Sequence, residues 1–152
     1  MKRLVVLVCG GMGVAHAAMR VECGVLQEPN RGAAVAVGYF TVTNTGTEER
    51  QLLKITSPLA EGIYLRQRST DAHGVDHEWP MASLRLRPGQ TVRFGPENGK
   101  HLALEGLSAP LHSGMRVPIT LQFDGGDRAV TVIMTVSKAL PGIECSGPDG
   151  NR

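Results

Sequence analysis

The chain has 152 residues, of which 41% are hydrophobic, 20% are charged and only 4% are aromatic, so it is long enough for one compact domain and too short for a two-domain enzyme. Sixteen Lys and Arg stand against fourteen Asp and Glu. Lys2 and Arg3 belong to a segment that we expect to be removed, and the remaining fourteen basic residues then balance the fourteen acidic ones. A neutral domain is a poor binder of nucleic acid.

The first 17 residues have the three-part plan of a secretory signal peptide. Met1–Arg3 is basic, an apolar run extends over Leu4–Val14, and small residues at Ala15 and Ala17 suit cleavage after Ala17. A membrane anchor is disfavoured because spanning a bilayer takes about 20 apolar residues and this run is much shorter. A lipoprotein modified at Cys9 is also disfavoured, because Cys9 precedes the end of the apolar run. We therefore expect an exported, periplasmic protein.

The expected mature chain comprises a domain at 18–141 and a C-terminal tail at 142–152, and it holds two cysteines, Cys23 and Cys145. Two cysteines in an exported protein favour one disulfide. Closing a loop of about 120 residues stabilises the fold by about 4 to 5 kcal/mol in the chain-entropy model. Two unrelated thiols are the alternative. The cysteines are too isolated in sequence for a redox pair or a thiolate metal cluster.

Hydrophobic residues alternate with polar ones along the mature chain, which is typical of β-strands. In chain order, strands are expected at 20–26, 33–43, 50–56, 62–68, 83–87, 91–94 and 101–104. A hairpin follows at 115–137, turning at Gly125-Gly126-Asp127, with alternate apolar residues on one face. Proline and glycine turns recur at sandwich spacing. The pattern predicts an antiparallel β-sandwich of seven to nine strands.

The strand at 101–104 is predicted to expose a histidine. Alternation sends Leu102 and Leu104 into the core, which places His101 and Ala103 on the opposite, outward face. The same alternation turns these side chains outward on other strands: Tyr64, Arg66, Arg68, Arg85, Arg87 and Arg93.

A polar loop at 71–81 holds the densest run of metal-ligating side chains in the sequence. Its candidate ligands are His73, His77, Glu78 and Met81. His77-Glu78 is not a zinc-protease signature, because the second histidine of that motif is replaced by Met81 and because Pro80 would interrupt the helix that it needs.

Several segments together resemble the periplasmic copper chaperone family PCu(A)C. They are Gly38–Asn44, Ser57–Ala60, Leu84–Val92, His101–Leu107 and Pro110–Phe123. The resemblance covers nearly the whole mature chain and implies a cupredoxin-like Greek-key β-sandwich without enzymatic activity. In that family a His, a Met and a His-x-Met pair bind Cu(I), which prefers imidazole and sulfur. The resemblance further implies delivery of copper to the assembling copper centre of a respiratory oxidase.

The chain departs from the family pattern at three of the four ligand positions. The first His falls on Arg66, the Met on or beside Glu78, and the last Met on Ala103, so that His101 alone is retained. Alanine has no donor atom and the arginine guanidinium has no lone pair to offer. A guanidinium about 4 Å from Cu(I) costs about 4 kcal/mol at an effective dielectric of 20.

Two functional hypotheses follow from this departure. In the first, the site is relocated and His101 binds copper together with His77, Met81 and either Glu78 or His73, and the nitrogen and oxygen ligands shift the preference from Cu(I) toward Cu(II) or zinc. In the second, the chain is a periplasmic adaptor without metal. Its five arginines, Arg66, Arg68, Arg85, Arg87 and Arg93, would then present a cationic face to an acidic partner or small anion.

An enzyme is the least supported class. The sequence has no Gly-x-Ser-x-Gly elbow and no phosphate-binding glycine loop. Solvated histidines that bind nothing are the simplest alternative to the relocated site.

Overall fold

The computed structural model describes residues 18–125 and 129–139, and every regular element in these ranges is a β-strand. Ten strands are present, one more than the largest number predicted. They are β1 (Met19–Gln27), β2 (Val35–Asn44), β3 (Arg50–Thr56), β4 (Ala60–Thr70), β5 (Asp76–Pro80), β6 (Arg85–Leu86), β7 (Thr91–Phe94), β8 (Lys100–Leu107), β9 (Arg116–Phe123) and β10 (Ala129–Ser137). The predicted all-β, cupredoxin-like class is confirmed.

The strands follow the order β5-β4-β8-β2-β1-β10-β9-β3-β6, and β7 also pairs with β2. All of these pairs are antiparallel except β1 with β10, which run parallel, with Val25 opposite Thr135. The sequence had predicted antiparallel pairing throughout. Local patterns fix the direction of strands joined by tight turns, whereas β1 and β10 lie at opposite ends of the domain and no short connection determines how they align.

The apolar faces of the strands enclose one core. In the β9–β10 hairpin, the predicted inner residues Val117, Ile119 and Phe123 are buried, while Thr120 and Thr131 share a hydrogen bond of 2.9 Å on the exposed face. Phe40 and Phe94 stack near the middle of the core, with ring centroids 4.6 Å apart. Period-two alternation therefore predicted the buried face of these strands correctly.

The strand that the sequence missed is β5, which lies within the predicted polar loop. All five of its residues are exposed, so it carries no hydrophobic pattern. It forms because the Asp71 carboxylate closes the preceding turn. That carboxylate accepts hydrogen bonds from the backbone N–H groups of His73 and Val75, and Gly74 takes a positive φ of 79°. Asp followed three residues later by Gly is the sequence signal of such a turn.

Some predictions fall outside the described residues. The signal peptide at 1–17, the tail at 142–152 and Cys145 are among them. The Cys23–Cys145 disulfide therefore stays a prediction, and counting thiols with and without reductant would test it.

Within 18–125 and 129–139, no helix of the length and hydropathy needed to span a membrane occurs.

Candidate functional site

The face of β4 and β8 that points away from the core carries residues that the sequence analysis matched to the family's ligand positions. Arg66 on β4 lies opposite His101 on β8, and Tyr64 lies opposite Ala103. Paired residues of antiparallel strands share a face, so these four side chains form one patch, which we call the outer face. Leu102 and Leu104 point into the core, as alternation predicted.

His101 is buried, which corrects the prediction that it is presented to solvent. Only 4% of the residue is exposed, and Ala103 beside it is 2% exposed. β8 is an inner strand between β4 and β2, and Arg66, Tyr39 and Glu78 lie around the imidazole. Alternation correctly predicted the face on which His101 lies. It could not show that neighbouring side chains cover that face.

A charged cluster surrounds the imidazole of His101, and we define it as Arg66, Arg68, Glu78, His101 and Glu105. The Arg66 guanidinium lies 2.6 Å from Glu105 Oε1 and 3.6 Å from Glu78 Oε1. Arg68 lies 3.4 Å from the second oxygen of Glu78, and His101 Nε2 lies 3.5 Å from the first. Two guanidinium groups and two carboxylates therefore surround one imidazole.

Glu105 is a member that the sequence reasoning missed. It follows His101 and Ala103 at period two on the same strand, and this spacing was a signal that could have identified it.

The imidazole of His101 is held in one orientation. Its Nδ1 lies 3.0 Å from the carbonyl oxygen of Gly99, the geometry in which Nδ1 carries the proton and donates. Nε2 then faces the Glu78 carboxylate and lies 3.5 Å from its Oε1. A backbone carbonyl at the other ring nitrogen is the usual support of a metal-binding histidine.

The backbone carbonyl that orients His101 depends on a glycine. Gly99 adopts a φ of 72°, and a Cβ there would lie 1.9 Å from the carbonyl oxygen of Arg68. The Arg68 N–H in turn donates to the Gly99 carbonyl oxygen over 2.9 Å. Only glycine fits this close approach of the two strands.

The other candidate ligands are not brought to His101. His77 lies opposite Ser69 and Glu78 opposite Arg68, so adjacent residues of β5 point to opposite faces. His77 Nε2 instead lies 2.8 Å from Asp71 Oδ2.

Met81 and His73 also lie apart from the outer face. Met81 packs against the hydrophobic core, and its N–H donates to the carbonyl oxygen of Leu65, a residue of the core-facing side. His73 lies in the β4–β5 turn. Of the proposed ligands, the structure therefore places only Glu78 beside His101. Within the described residues, no group of three or more His, Cys, Asp or Glu side chains could hold a metal ion.

The predicted cationic face is largely compensated by glutamates. Besides the two arginines of the charged cluster, Arg85 lies 3.6 Å from Glu49 and Arg93 lies 2.8 Å from Glu97. Arg87 is exposed on the β6–β7 connection. The charge available to an acidic partner is therefore smaller than the count of five arginines indicates.

The fold and the charged cluster define a cupredoxin-like sandwich that carries an oriented imidazole beside a carboxylate on its outer face. The family model described as "Putative lipoprotein LpqE-like" matches residues 15–136, and the chain belongs to this LpqE-like family. A relative named "Putative lipoprotein Lxx21020" from Leifsonia xyli subsp. xyli (strain CTCB07) is 28% identical over 120 residues, which are 79% of this chain and 68% of the relative.

Solved structures with the same fold are PCuAC domains. The copper-bound PCuAC domain from PmoF2 is 21% identical with a TM-score of 0.64, over 80% of this chain and 94% of that domain. CuI-DR1885 from Deinococcus radiodurans is 25% identical with a TM-score of 0.56, over 87% of this chain and 85% of that chain. The resemblance to the PCu(A)C family that the sequence indicated is confirmed.

Proposed function

We propose that this protein is an exported, copper chaperone-like carrier that binds copper through His101 Nε2 and the Glu78 carboxylate. The observation that carries the proposal is the orientation of His101, whose Nδ1 is fixed by the Gly99 carbonyl while Nε2 lies 3.5 Å from Glu78 Oε1. An imidazole nitrogen that faces a carboxylate oxygen at this distance is an arrangement that a cation can bridge. The copper-bound PCuAC domain from PmoF2 and CuI-DR1885 support copper as the cargo.

The chemistry of the ligands selects the form of copper. An imidazole nitrogen and a carboxylate oxygen favour Cu(II), or zinc as its competitor, over Cu(I), which prefers thioether sulfur. The other coordination positions are left to water or to a recipient protein. Because two protein ligands hold the ion and the neighbouring guanidinium repels it, we expect the ion to exchange fast. Fast exchange suits a carrier without chemical turnover.

The proposal also includes export of the protein and a recipient protein for the copper. The basic and apolar N-terminal segment and the lipoprotein names of the matched family and of the Leifsonia relative support export, with the periplasm as the proposed compartment. A copper-acceptor protein of a respiratory oxidase is the proposed recipient. Mass spectrometry of the secreted protein would test cleavage after Ala17 and would also detect a lipid on Cys9.

Competition titration of the mature protein with Cu(II) and Cu(I) chelators tests the metal proposal. His101→Ala and Glu78→Gln each remove one proposed ligand and should weaken Cu(II) binding at least tenfold. His112→Ala removes an exposed loop histidine and is the matched control, for which no change is expected. Equal Cu(II) affinity for the native protein and His101→Ala would overturn the proposal, as would a clear preference for Cu(I).

A further inference from the structure

A second feature of the outer face lies on the side of His101 toward β2, where a cavity of about 120 Å³ opens. Polar side chains from three strands line it together with the imidazole, namely Gln27, Tyr39 and Arg68, and Val37 and Pro96 form apolar walls. Strand register explains the convergence. Gln27 lies opposite Val37, and Val37 lies opposite Ala103, so these residues share one face of β1, β2 and β8.

The polar groups around this cavity are mainly hydrogen-bond donors. The Arg68 guanidinium has five N–H groups, and its ion pair with Glu78 is long, at 3.4 Å. Within the described part of the chain, the side chains of Tyr39 and Gln27 have no hydrogen-bond partner. Several uncommitted donors in a small concave space are the usual composition of a binding pocket for an anion.

Electrostatics keep the donors in their donating forms. Burial raises the pKa of the Tyr39 hydroxyl above its ordinary value, so the group stays a protonated donor at neutral pH. Glu97 is a nearby acidic group, and Arg93 holds its carboxylate at 2.8 Å. Arg68 is the positively charged residue of the cavity lining, and its partner Glu78 lies 3.4 Å from it outside that lining.

We propose that this cavity binds a small carboxylate, with Arg68 pairing with the anion and Tyr39 and Gln27 donating to its oxygens. The volume limits the size of the ligand. At about 120 Å³ the cavity is small, which favours the smallest carboxylates, formate and acetate. A ligand this small binds no tighter than about 40 µM, and millimolar affinity is the expected range.

The inference goes beyond the carrier function and does not depend on it, because the ligand is an anion and no metal is required. Titration of the mature protein with sodium formate and sodium acetate tests it, by NMR at constant ionic strength and with EDTA present. The expected result is saturable shifts of the Gln27 side-chain amide and of the Gly99 amide. Butyrate is a longer carboxylate and should give weaker shifts.

Matched variants separate this pocket from general anion binding. Arg68→Gln should weaken acetate binding at least tenfold, and Tyr39→Phe should weaken it three- to tenfold. Arg87→Gln and Tyr64→Phe change exposed residues that do not line the cavity and should leave acetate binding unchanged. The proposal is overturned if the shifts are linear to 100 mM, or if Arg68→Gln and Arg87→Gln behave alike.

Discussion

Arg66 is predicted to limit the metal affinity of the site, and Arg66→Gln should therefore tighten Cu(II) binding. The substitution removes the guanidinium next to Glu78 and keeps a side chain of similar length and polarity. It also releases Glu105, whose carboxylate lies 2.6 Å from the guanidinium in the native protein. A third oxygen ligand then becomes available next to His101.

The size of the effect follows from Coulomb's law. Because Arg66 lies 3.6 Å from Glu78, an ion bridging Glu78 and His101 would lie about 5 Å from the guanidinium, where a divalent ion is repelled by about 6 to 7 kcal/mol at an effective dielectric of 20. Glu105 neutralises part of the charge, and the side chain is 28% exposed to solvent. Retaining roughly a quarter of the Coulomb repulsion leaves about 1.5 kcal/mol, which corresponds to roughly a tenfold change in the affinity for Cu(II).

Chelator competition measures this change directly. Arg66→Lys is the matched control, since it keeps the positive charge and should not bind Cu(II) more tightly than the native protein. Thermal denaturation of all variants would show that each is folded. If Arg66→Gln binds Cu(II) as weakly as Arg66→Lys, the guanidinium is not the obstacle and the electrostatic reasoning fails.

Two further predictions concern stability. The pKa of Asp71 is lowered, mainly by the hydrogen bond from His77, so its ionised form stabilises the β4–β5 hairpin above about pH 4 and this contribution is lost as the pH falls further. Asp71→Asn should therefore flatten the acid limb of a plot of urea midpoint against pH, and an unchanged acid limb would contradict the prediction. Phe94→Ala removes the ring stacked on Phe40 and should lower the free energy of unfolding by about 3 to 5 kcal/mol. Leu53→Ala, at a residue that is 59% exposed, should change it by less than about 0.5 kcal/mol, and similar losses for the two variants would contradict the assigned core.

The fold was largely predictable because alternation is a local property of each strand. Val117, Ile119, Leu121 and Phe123 recur every second residue. Burying them fixes the inner face of β9 whatever strand lies beside it. β5 gave no such signal. Its residues are exposed, and it is held by backbone pairing with β4 and by the Asp71 turn, which alternation does not report.

The site was predictable only in part, because it depends on the register between strands. Alternation placed Arg66 and His101 on outward faces, yet the pairing of β4 with β8 brings them together, and the pairing of β4 with β5 adds Glu78. The hypothesis of a relocated metal site assumed that ligands close together in the chain would also lie together in space. His77 and Glu78 are neighbours in the chain but point to opposite sides of the sheet, and Met81 packs against the core.

The charged cluster explains how two of the departures from the family pattern, Arg66 and Glu78, fit together. A guanidinium at position 66 needs carboxylates nearby, and Glu78 and Glu105 provide them. The two guanidinium groups and two carboxylates of the cluster balance in charge. In the proposed site, a cation that bridges Glu78 and His101 would compete with Arg66 for the Glu78 carboxylate. Movement of this one guanidinium would then favour binding or release of the ion, which is a physical basis for a carrier without chemical turnover.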